Sequence, residues 1–271
     1  MSQDAIIAGS GGLPLALAVA MDAAMSGRPL ICALHGHVPL GLPVDQVFRV
    51  ERLALFMRQL EDQGVARVCF AGSVQRPRLD PALFDPQTAS MVPRLLAAMG
   101  QGDDATLREV IAIFEEAGFA VVGVADLAPD LLPGAGLLCG ALTGQDRADA
   151  ARAAAIVAAL GAVDVGQGAV VAQGLCLGVE TLPGTDAMLA AVAALPAGLR
   201  PAGSRGLFYK AAKPGQDRRI DLPTLGVDTV ERVATAGLGG VAFQAGSVIC
   251  LDLPAMIAAA SARGLFLWAR G

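Results

Sequence analysis

The stretch Asp4-Ala-Ile-Ile-Ala-Gly-Ser-Gly-Gly-Leu-Pro14 decides the fold of the first half, because it predicts a strand, a turn and a helix. The short apolar run is typical of a buried strand, and Leu13 opens a helical pattern of apolar residues. A glycine turn between a strand and a helix directs backbone N–H groups at an anion. Pro14 stands where the dinucleotide pattern Gly-x-Gly-x-x-Gly has its last glycine. Gly9 to Gly12 therefore predict an anion-binding turn, with a turn that serves packing alone as the alternative.

Strands and helices continue to alternate beyond this stretch. Residues 30–34 predict a second strand, residues 52–63 a helix, and residues 65–71 a third strand. Alternation of this kind predicts a parallel α/β sheet with right-handed crossovers. Gly72 and Ser73 follow the third strand, and ligands of open parallel sheets bind beyond the carboxyl ends of the strands. We therefore expect these two residues to flank one crevice with the first glycine turn.

The rest of the first half is less regular. Residues 75–93 are polar and rich in proline, which predicts irregular structure. Asp103 or Asp104 precedes a predicted helix at residues 106–117 and either caps that helix or faces a ligand. Residues 119–124 predict another strand.

A Gly- and Pro-rich segment divides the chain. At 271 residues the chain is long enough for two domains, and residues 128–144 are the best boundary. We predict an N-terminal nucleotide-binding domain at residues 1–130, a linker at 131–144 and a C-terminal catalytic domain at 145–271. The second domain contains helix patterns and apolar strands, with hairpin chemistry at Gln173-Gly174, so we expect an α/β domain with a mixed sheet.

Lys213-Pro-Gly-Gln-Asp-Arg-Arg-Ile-Asp-Leu-Pro-Thr-Leu-Gly226 is the densest cluster of charge in the chain. Pro and Gly after Lys213 predict a turn. Asp217, Arg219 and Asp221 alternate, and a strand-like conformation would place them on one face. Two carboxylates and a guanidinium suit a divalent metal together with a phosphate. A solvated loop with incidental ion pairs is the alternative.

Composition excludes several classes of function. The net charge of −5 and the aromatic share of 4% are unfavourable for binding nucleic acid. The mean hydropathy is +0.56, yet no apolar run approaches the ~20 residues of a membrane span. The five cysteines and two histidines lack the spacing of a zinc site, and the N-terminus lacks the pattern of a secretory signal. We expect a cytoplasmic protein whose apolar excess serves an oligomer interface or an apolar ligand.

Four segments together resemble the LpxI family. They are Ile-Ala-Gly-Ser-Gly-Gly-Leu-Pro, Val-Asp-Val-Gly-Gln, Gly-Thr-Asp-Ala-Met-Leu and the long motif from Lys213. The resemblance runs in order along the whole length and implies a UDP-2,3-diacylglucosamine pyrophosphatase of lipid A biosynthesis. It implies a Rossmann-like first domain and a C-terminal domain, Mg²⁺ as cofactor, and a homodimer. The implied products are UMP and 2,3-diacylglucosamine 1-phosphate (lipid X), made in the cytoplasm with peripheral contact to the inner face of the inner membrane.

The expected site combines the resemblance with the residue chemistry. Asp221, Asp217, Lys213 and Arg219 are the expected catalytic residues, and Asp221 and Asp217 also the metal ligands. The expected substrate-binding residues are Gly9, Ser10, Gly11, Gly12, Leu13, Gly72, Ser73, Asp103, Gln167, Gly184, Thr185 and Asp186. No covalent nucleophile stands out, which favours direct attack by water.

Two other functions remain open at this point. A non-catalytic regulator that binds nucleotide sugars would use the same glycine turns without a metal. A nicotinamide oxidoreductase would need an acidic ribose-binding residue after the second strand, where the sequence has His35-Gly36-His37.

Overall fold

A computed structural model describes residues 3–24, 27–74 and 79–271, without the side chains of residues 103 and 104. The chain forms two compact units. The first unit comprises Met1–Asp130 together with the short segment Asp217–Asp221, and the second comprises Leu131–Gln216 and Leu222–Gly271. The long charged motif is thus shared between the two units.

The described part of the first unit is built on a parallel sheet. Its strands are β1 (Gln3–Ala8), β2 (Leu30–Leu34), β3 (Gln46–Phe48), β4 (Val65–Ala71) and β5 (Ala120–Val121). They lie in the order β3-β2-β1-β4-β5, and every pairing is parallel. All five residues of β2 are buried, as expected for a strand with both faces covered. The Rossmann-like prediction is confirmed.

Helices cover this sheet. They are α1 (Leu13–Ala23), α2 (Leu53–Asp62), α3 (Pro86–Met99), α4 (Asp103–Glu116) and α5 (Val124–Leu127). Leu17 and Met21 of α1 are fully buried, in agreement with the apolar face of the predicted helix. The main core packs residues of the strands against α2, α3 and α4, and Phe48 stacks on Phe56 with ring centroids 3.9 Å apart.

Three local predictions for this unit were wrong. Residues 86–99 form α3, because the carboxylate of Asp85 caps its first turn, and this helix tolerates Pro93 inside it. Gly102, rather than Asp103 or Asp104, is the N-cap residue of α4. The predicted strand at 119–124 keeps two residues, because Gly123 and Asp126 begin α5. Residues 75–78 of the predicted irregular segment lie outside the described residues.

The second unit has a mixed sheet, as predicted. Its strands are β6 (Gly136–Cys139), β7 (Gly168–Ala172), β8 (Leu175–Val179), β9 (Leu207–Lys210), β11 (Gly240–Gln244) and β13 (Phe266–Arg270). The order is β6-β13-β11-β9-β7-β8, with β9, β11 and β13 parallel to one another and the other pairings antiparallel. Two short strands, β10 (Thr224–Leu225) and β12 (Ile249–Cys250), pair separately. The segment expected to be a linker thus contributes β6 to the sheet.

The predicted hairpin is present between β7 and β8. Gln173 and Gly174 have φ values of 51° and 75°, the positive values that a two-residue type I′ turn requires. The carboxylate of Asp149 lies beneath this turn and accepts the N–H groups of both residues, at 2.9 and 2.7 Å. A fully buried aspartate therefore fixes the hairpin.

Helices cover both faces of this sheet. The helices are α6 (Gly144–Ala162), α7 (Gly184–Ala193), α8 (Val227–Thr235) and α9 (Leu253–Ala262). Phe208 packs into a cluster with residues of α7, α8 and α9, while its neighbours Leu207 and Tyr209 pack with residues of α6. No helix among the described residues is both long and apolar enough to cross a membrane.

Candidate active site

The first glycine turn lies at the carboxyl end of β1. Gly9 to Gly12 connect the strand to α1, whose N-cap residue Gly12 makes no side-chain capping hydrogen bond. Ser10, Gly11 and Gly12 are exposed, and Gly11 has a φ of 95°, which a residue with a side chain rarely adopts. The turn therefore presents backbone to solvent at the positive end of a helix dipole, the arrangement that suits an anion.

The turn after β4 is bound directly to this first turn. Ser10 and Ser73 exchange backbone hydrogen bonds, at 2.8 and 2.9 Å. A Cβ at Gly9 would lie 2.5 Å from the carbonyl oxygen of Ser73, and a Cβ at Gly72 would lie 2.6 Å from that of Ser10. Both positions must be glycine for the two backbones to meet. In the order β3-β2-β1-β4-β5, β1 and β4 flank the point where the chain reverses direction across the sheet, which is where such folds bind ligands.

The segment Asp217–Asp221 belongs to the same unit, but it is not a strand. The N–H of Ile220 donates to the carbonyl of Asp217 at 3.4 Å, which closes a turn. The prediction that Asp217, Arg219 and Asp221 alternate on one extended face is therefore wrong. In a turn, side chains two residues apart lie close together. The carboxylate of Asp217 and the guanidinium of Arg219 therefore pair with each other.

Arg219 forms ion pairs with two carboxylates of its own unit. Its guanidinium lies 2.7 Å from Asp217 and 2.7 Å from Glu115 of α4. Asp217 also accepts the backbone N–H of Arg219, at 3.0 Å. The side-chain hydrogen bond from Arg219 is the main reason that the pKa of Asp217 lies below its ordinary value, and burial opposes it. The same bonds raise the pKa of Arg219.

Close packing holds this segment against the first unit. A Cβ at Gly123 would lie 3.1 Å from the Cα of Arg219, so glycine leaves room for the backbone of the segment. Ile220 is half-buried against the main core of the unit. Five residues from late in the chain are therefore anchored by one apolar contact, one glycine and one bridging arginine.

A Mg²⁺ ion would find two carboxylates in this segment, those of Asp217 and Asp221. Both oxygens of Asp217 accept hydrogen bonds from Arg219, so a metal at Asp217 would share these oxygens with the guanidinium. Asp221 is half-buried and offers the hard oxygen that Mg²⁺ prefers. Among the described residues, no three His, Cys, Asp or Glu side chains lie close enough together to hold a metal. The residues fit an ion held by few carboxylates plus phosphate and water, which is the usual Mg²⁺ arrangement.

Lys213 begins a tight turn in the second unit. Its N–H donates to the side chain of Gln216 at 3.1 Å, and Gly215 has a φ of 77°. A Cβ at Gly161 would lie 2.7 Å from the ring of Pro214, so the turn packs closely on the last turn of α6. The ammonium of Lys213 pairs with Asp164 at 2.6 Å, and that carboxylate is half-exposed.

Gln167 lies between two glycines that fit around Glu180. A Cβ at Gly166 would lie 2.0 Å from the carbonyl oxygen of Glu180, and a Cβ at Gly168 would lie 2.5 Å from its carboxylate. Glu180 is 8% exposed. The side-chain oxygen of Gln167 is buried and has no hydrogen-bond partner within the described residues. A water or a ligand can supply the donor that this buried acceptor lacks in the protein.

Gly184, Thr185 and Asp186 form the first turn of α7. The N-cap residue Pro183 offers no side-chain cap, and Gly184 has a φ of 86°. The hydroxyl of Thr185 is hydrogen-bonded to Glu180 and to Lys210, at 2.9 and 2.6 Å. Asp186 is exposed and lies 3.1 Å from Arg232 of α8. The turn offers backbone N–H groups, and the two cations described beside it, Lys210 and Arg232, are each paired with a carboxylate.

The expected site residues fall into two groups, one in each unit. The first unit holds Gly9, Ser10, Gly11, Gly12, Leu13, Gly72, Ser73, Asp103, Asp217, Arg219 and Asp221, and the second holds Gln167, Gly184, Thr185, Asp186 and Lys213. The side chain of Asp103 lies outside the described residues. The sequence analysis did not single out four residues that contact expected site residues in the structure. They are Glu115, Asp164, Glu180 and Lys210. Lys210 could have been suspected, because it is a charge that ends the apolar strand Leu-Phe-Tyr-Lys.

Comparison with known proteins places both units in one family. The LpxI N-terminal domain family matches residues 4–131, and the LpxI C-terminal domain family matches residues 134–268. A curated protein of Caulobacter vibrioides, UDP-2,3-diacylglucosamine pyrophosphatase LpxI, is 39% identical to this chain over 269 residues. The match covers 97% of this chain and 95% of that protein. The chain therefore belongs to the LpxI family.

Proposed function

We propose that this protein hydrolyses the diphosphate of UDP-2,3-diacylglucosamine to UMP and 2,3-diacylglucosamine 1-phosphate. The observation that carries the proposal is the 39% identity to the Caulobacter pyrophosphatase across 97% of the chain. A similarity of this extent includes both units and the entire charged motif. It favours the enzyme over the regulator, because the relative is itself named a pyrophosphatase.

Uncapped helix N-termini supply the phosphate-binding groups. The turns before α1 and at the start of α7 both lack side-chain caps, and both contain a glycine with positive φ. Backbone N–H groups at such termini bind phosphate oxygens without a nearby lysine or arginine. The net charge of −5 disfavours an anionic substrate, so groups close to the phosphates must supply the attraction. The proposed substrate-binding residues are those expected from the sequence.

Asp221 is the proposed catalytic carboxylate. Hydrolysis of a diphosphate needs a positioned water and stabilisation of the charge that develops on the phosphoryl oxygens. Asp221 ends the turn that Arg219 anchors to Asp217 and Glu115. Mg²⁺, when bound, would neutralise phosphate charge, and Asp221 would be its ligand from this segment. Asp217 keeps Arg219 in place, and Arg219 holds the turn that carries Asp221.

A product assay tests this function. The purified protein is incubated with UDP-2,3-diacylglucosamine, in Mg²⁺ and separately in excess EDTA, and UMP is quantified by chromatography. We expect UMP and the diacylated sugar phosphate in equal amounts with Mg²⁺, and neither with EDTA. A regulator would bind the compound and release no UMP. Full activity in EDTA, with metal content shown to be zero, would contradict the role of Mg²⁺.

We also propose a homodimer that contacts the cytoplasmic face of the inner membrane. The support is the apolar excess of the sequence, 54% hydrophobic residues, in a family whose named substrate carries two acyl groups. Sedimentation analysis tests the dimer, and co-sedimentation with anionic phospholipid vesicles tests the membrane contact. A monomer at micromolar concentration would contradict the first proposal.

A further inference from the structure

A buried lysine lies beside the first turn of α7 in the second unit. Lys210 is 5% exposed and ends β9. An ammonium group buried in a sheet is costly unless opposite charge and hydrogen bonds surround it. Glu180 is the carboxylate nearby, with its oxygen 3.3 Å from the ammonium nitrogen. Lys210 takes no part in the chemistry proposed above, and its burial therefore calls for another role.

The shorter contact of Lys210 is to a hydroxyl. The ammonium nitrogen lies 2.6 Å from the Thr185 oxygen and only 3.3 Å from the Glu180 oxygen. The Thr185 oxygen in turn lies 2.9 Å from Glu180. Lysine donates and has no acceptor, so the hydroxyl must accept from Lys210 and give its own hydrogen to Glu180. The threonine is thereby held in one orientation between two charges.

This threonine ties an exposed turn to the buried sheet. Around it, residues Thr181, Leu182 and Pro183 are exposed, Leu182 to 98%. Gly184 has a conformation that glycine adopts without strain, and the helix lacks a side-chain cap. The hydroxyl of Thr185 therefore joins this exposed stretch to the buried sheet, and Asp186 joins the next residue to Arg232 of α8. The same Glu180 carboxylate lies against Gly168, next to Gln167.

We propose that Lys210 is a positioning residue, which acts through Thr185 to hold the first turn of α7 in the geometry that binds the substrate. The proposal rests on the function proposed above, because it assumes that this turn contacts the substrate. It predicts a specific kinetic result. Loss of Lys210 weakens binding of ground state and transition state alike, so KM rises while kcat is kept.

The test is Lys210→Met in the full-length protein, with UDP-2,3-diacylglucosamine as the substrate. We expect KM to rise at least about fivefold, with kcat within about threefold of the parent. Equilibrium binding of the same compound should weaken by a similar factor. A purely structural lysine would give a different result, because a partly unfolded enzyme has a lower apparent kcat and an unchanged KM.

A double variant separates positioning from charge neutralisation. Lys210→Met alone leaves Glu180 buried without its cation, and the melting temperature should fall. Lys210→Met with Glu180→Gln removes both charges and keeps an acceptor for the Thr185 hydroxyl. We expect this pair to regain much of the melting temperature while KM stays raised. A KM that returns to the parental value in the double variant would overturn the proposal.

Asp149→Asn is the matched control in the same unit. Asp149 is also a buried charged residue that holds a turn, but its turn is the β7–β8 hairpin. We expect a lower melting temperature and an unchanged KM.

Thr185→Val should raise KM as Lys210→Met does, and combining the two should add little. A similar rise in KM for Asp149→Asn, or full additivity of the other two, would contradict positioning. A parent protein that binds the compound but releases no UMP would instead count against the proposed function.

Discussion

Two consecutive pieces of the charged motif are anchored in different ways. Residues 213–216 belong to the second unit, where Pro214 packs on Gly161 and Lys213 reaches a half-exposed carboxylate. Residues 217–221 belong to the first unit, where Arg219 joins two carboxylates and Ile220 packs against the main core. The first piece is therefore held mainly by its backbone shape, and the second by side chains. Charges that look equivalent in sequence have different surroundings.

The largest expected effect is that of Asp221, which is proposed to act in the chemistry, whereas Asp217 and Arg219 anchor the turn that carries it. Asp221→Ala should lower kcat at least about 10³-fold, because it removes a transition-state interaction of the metal or the attacking water. The KM should change little. Steady-state release of UMP measures both constants. Asp228→Ala, an exposed aspartate in the first turn of α8, is the control and should retain activity. Activity of Asp221→Ala within a few-fold of the parent would remove this residue from the mechanism.

Arg219 has a close structural counterpart in the same unit. Arg94 of α3 also joins two carboxylates of α4, Glu109 and Glu116. Both arginines are partly exposed, so each contributes little to stability through its ion pairs. Arg219→Ala should nevertheless lower kcat about tenfold, because the turn that carries Asp221 loses its anchor. Arg94→Ala should keep kcat within about twofold. Equal kcat values for the two variants would show that Arg219 is a surface ion pair only.

Asp217 is expected to affect stability more than chemistry. Its native pKa lies below the ordinary value of 3.8 because of Arg219, so the native state favours the carboxylate. The resulting stabilisation is fully present above that ordinary value and is lost as the pH falls through the lower native pKa. Asp217→Asn should therefore cost about 1 kcal/mol of unfolding free energy at pH 7, with a smaller cost at acidic pH. Urea unfolding at several pH values measures this. A cost that does not depend on pH would contradict the assignment.

Backbone requirements could be predicted from the sequence, whereas side-chain partners could not. Gly9 and Gly72 are glycines at strand ends, and local pattern predicts the turns where two backbones meet. The pairing of Arg219 with Glu115 joins residues 104 positions apart, and only the tertiary fold brings them together. The alternation of Asp217, Arg219 and Asp221 suggested a strand. However, the carboxylate of Asp217 accepts the backbone N–H of Arg219, two residues further along the chain, and this local hydrogen bond favours a turn. The role of Lys210 depends on Thr185 and Glu180, which lie in separate elements.

The smallest expected effect is that of Lys213, which belongs to the first piece of the motif, residues 213–216. We propose that its ammonium acts on the diphosphate of the substrate, as a point charge with three donors can do. The structure pairs it with Asp164 at 2.6 Å, and a pair this exposed contributes at most about 1 kcal/mol. Lys213→Ala and Asp164→Ala both remove this pair, so an effect of the pair itself must be the same in both variants. We expect melting temperatures close to that of the parent in both.

The two variants should differ in kinetics. Lys213→Ala should lower kcat/KM about threefold to fivefold, Lys213→Arg should recover part of the loss, and Asp164→Ala should leave kcat/KM close to that of the parent. The loss is modest because the turn at Pro214 and Gly215 keeps its backbone shape without the lysine side chain. Steady-state kinetics and thermal melting of all three variants make the comparison. Equal kcat/KM for Lys213→Ala and Asp164→Ala would assign Lys213 to its ion pair, and the first piece of the motif would then contribute its backbone turn alone.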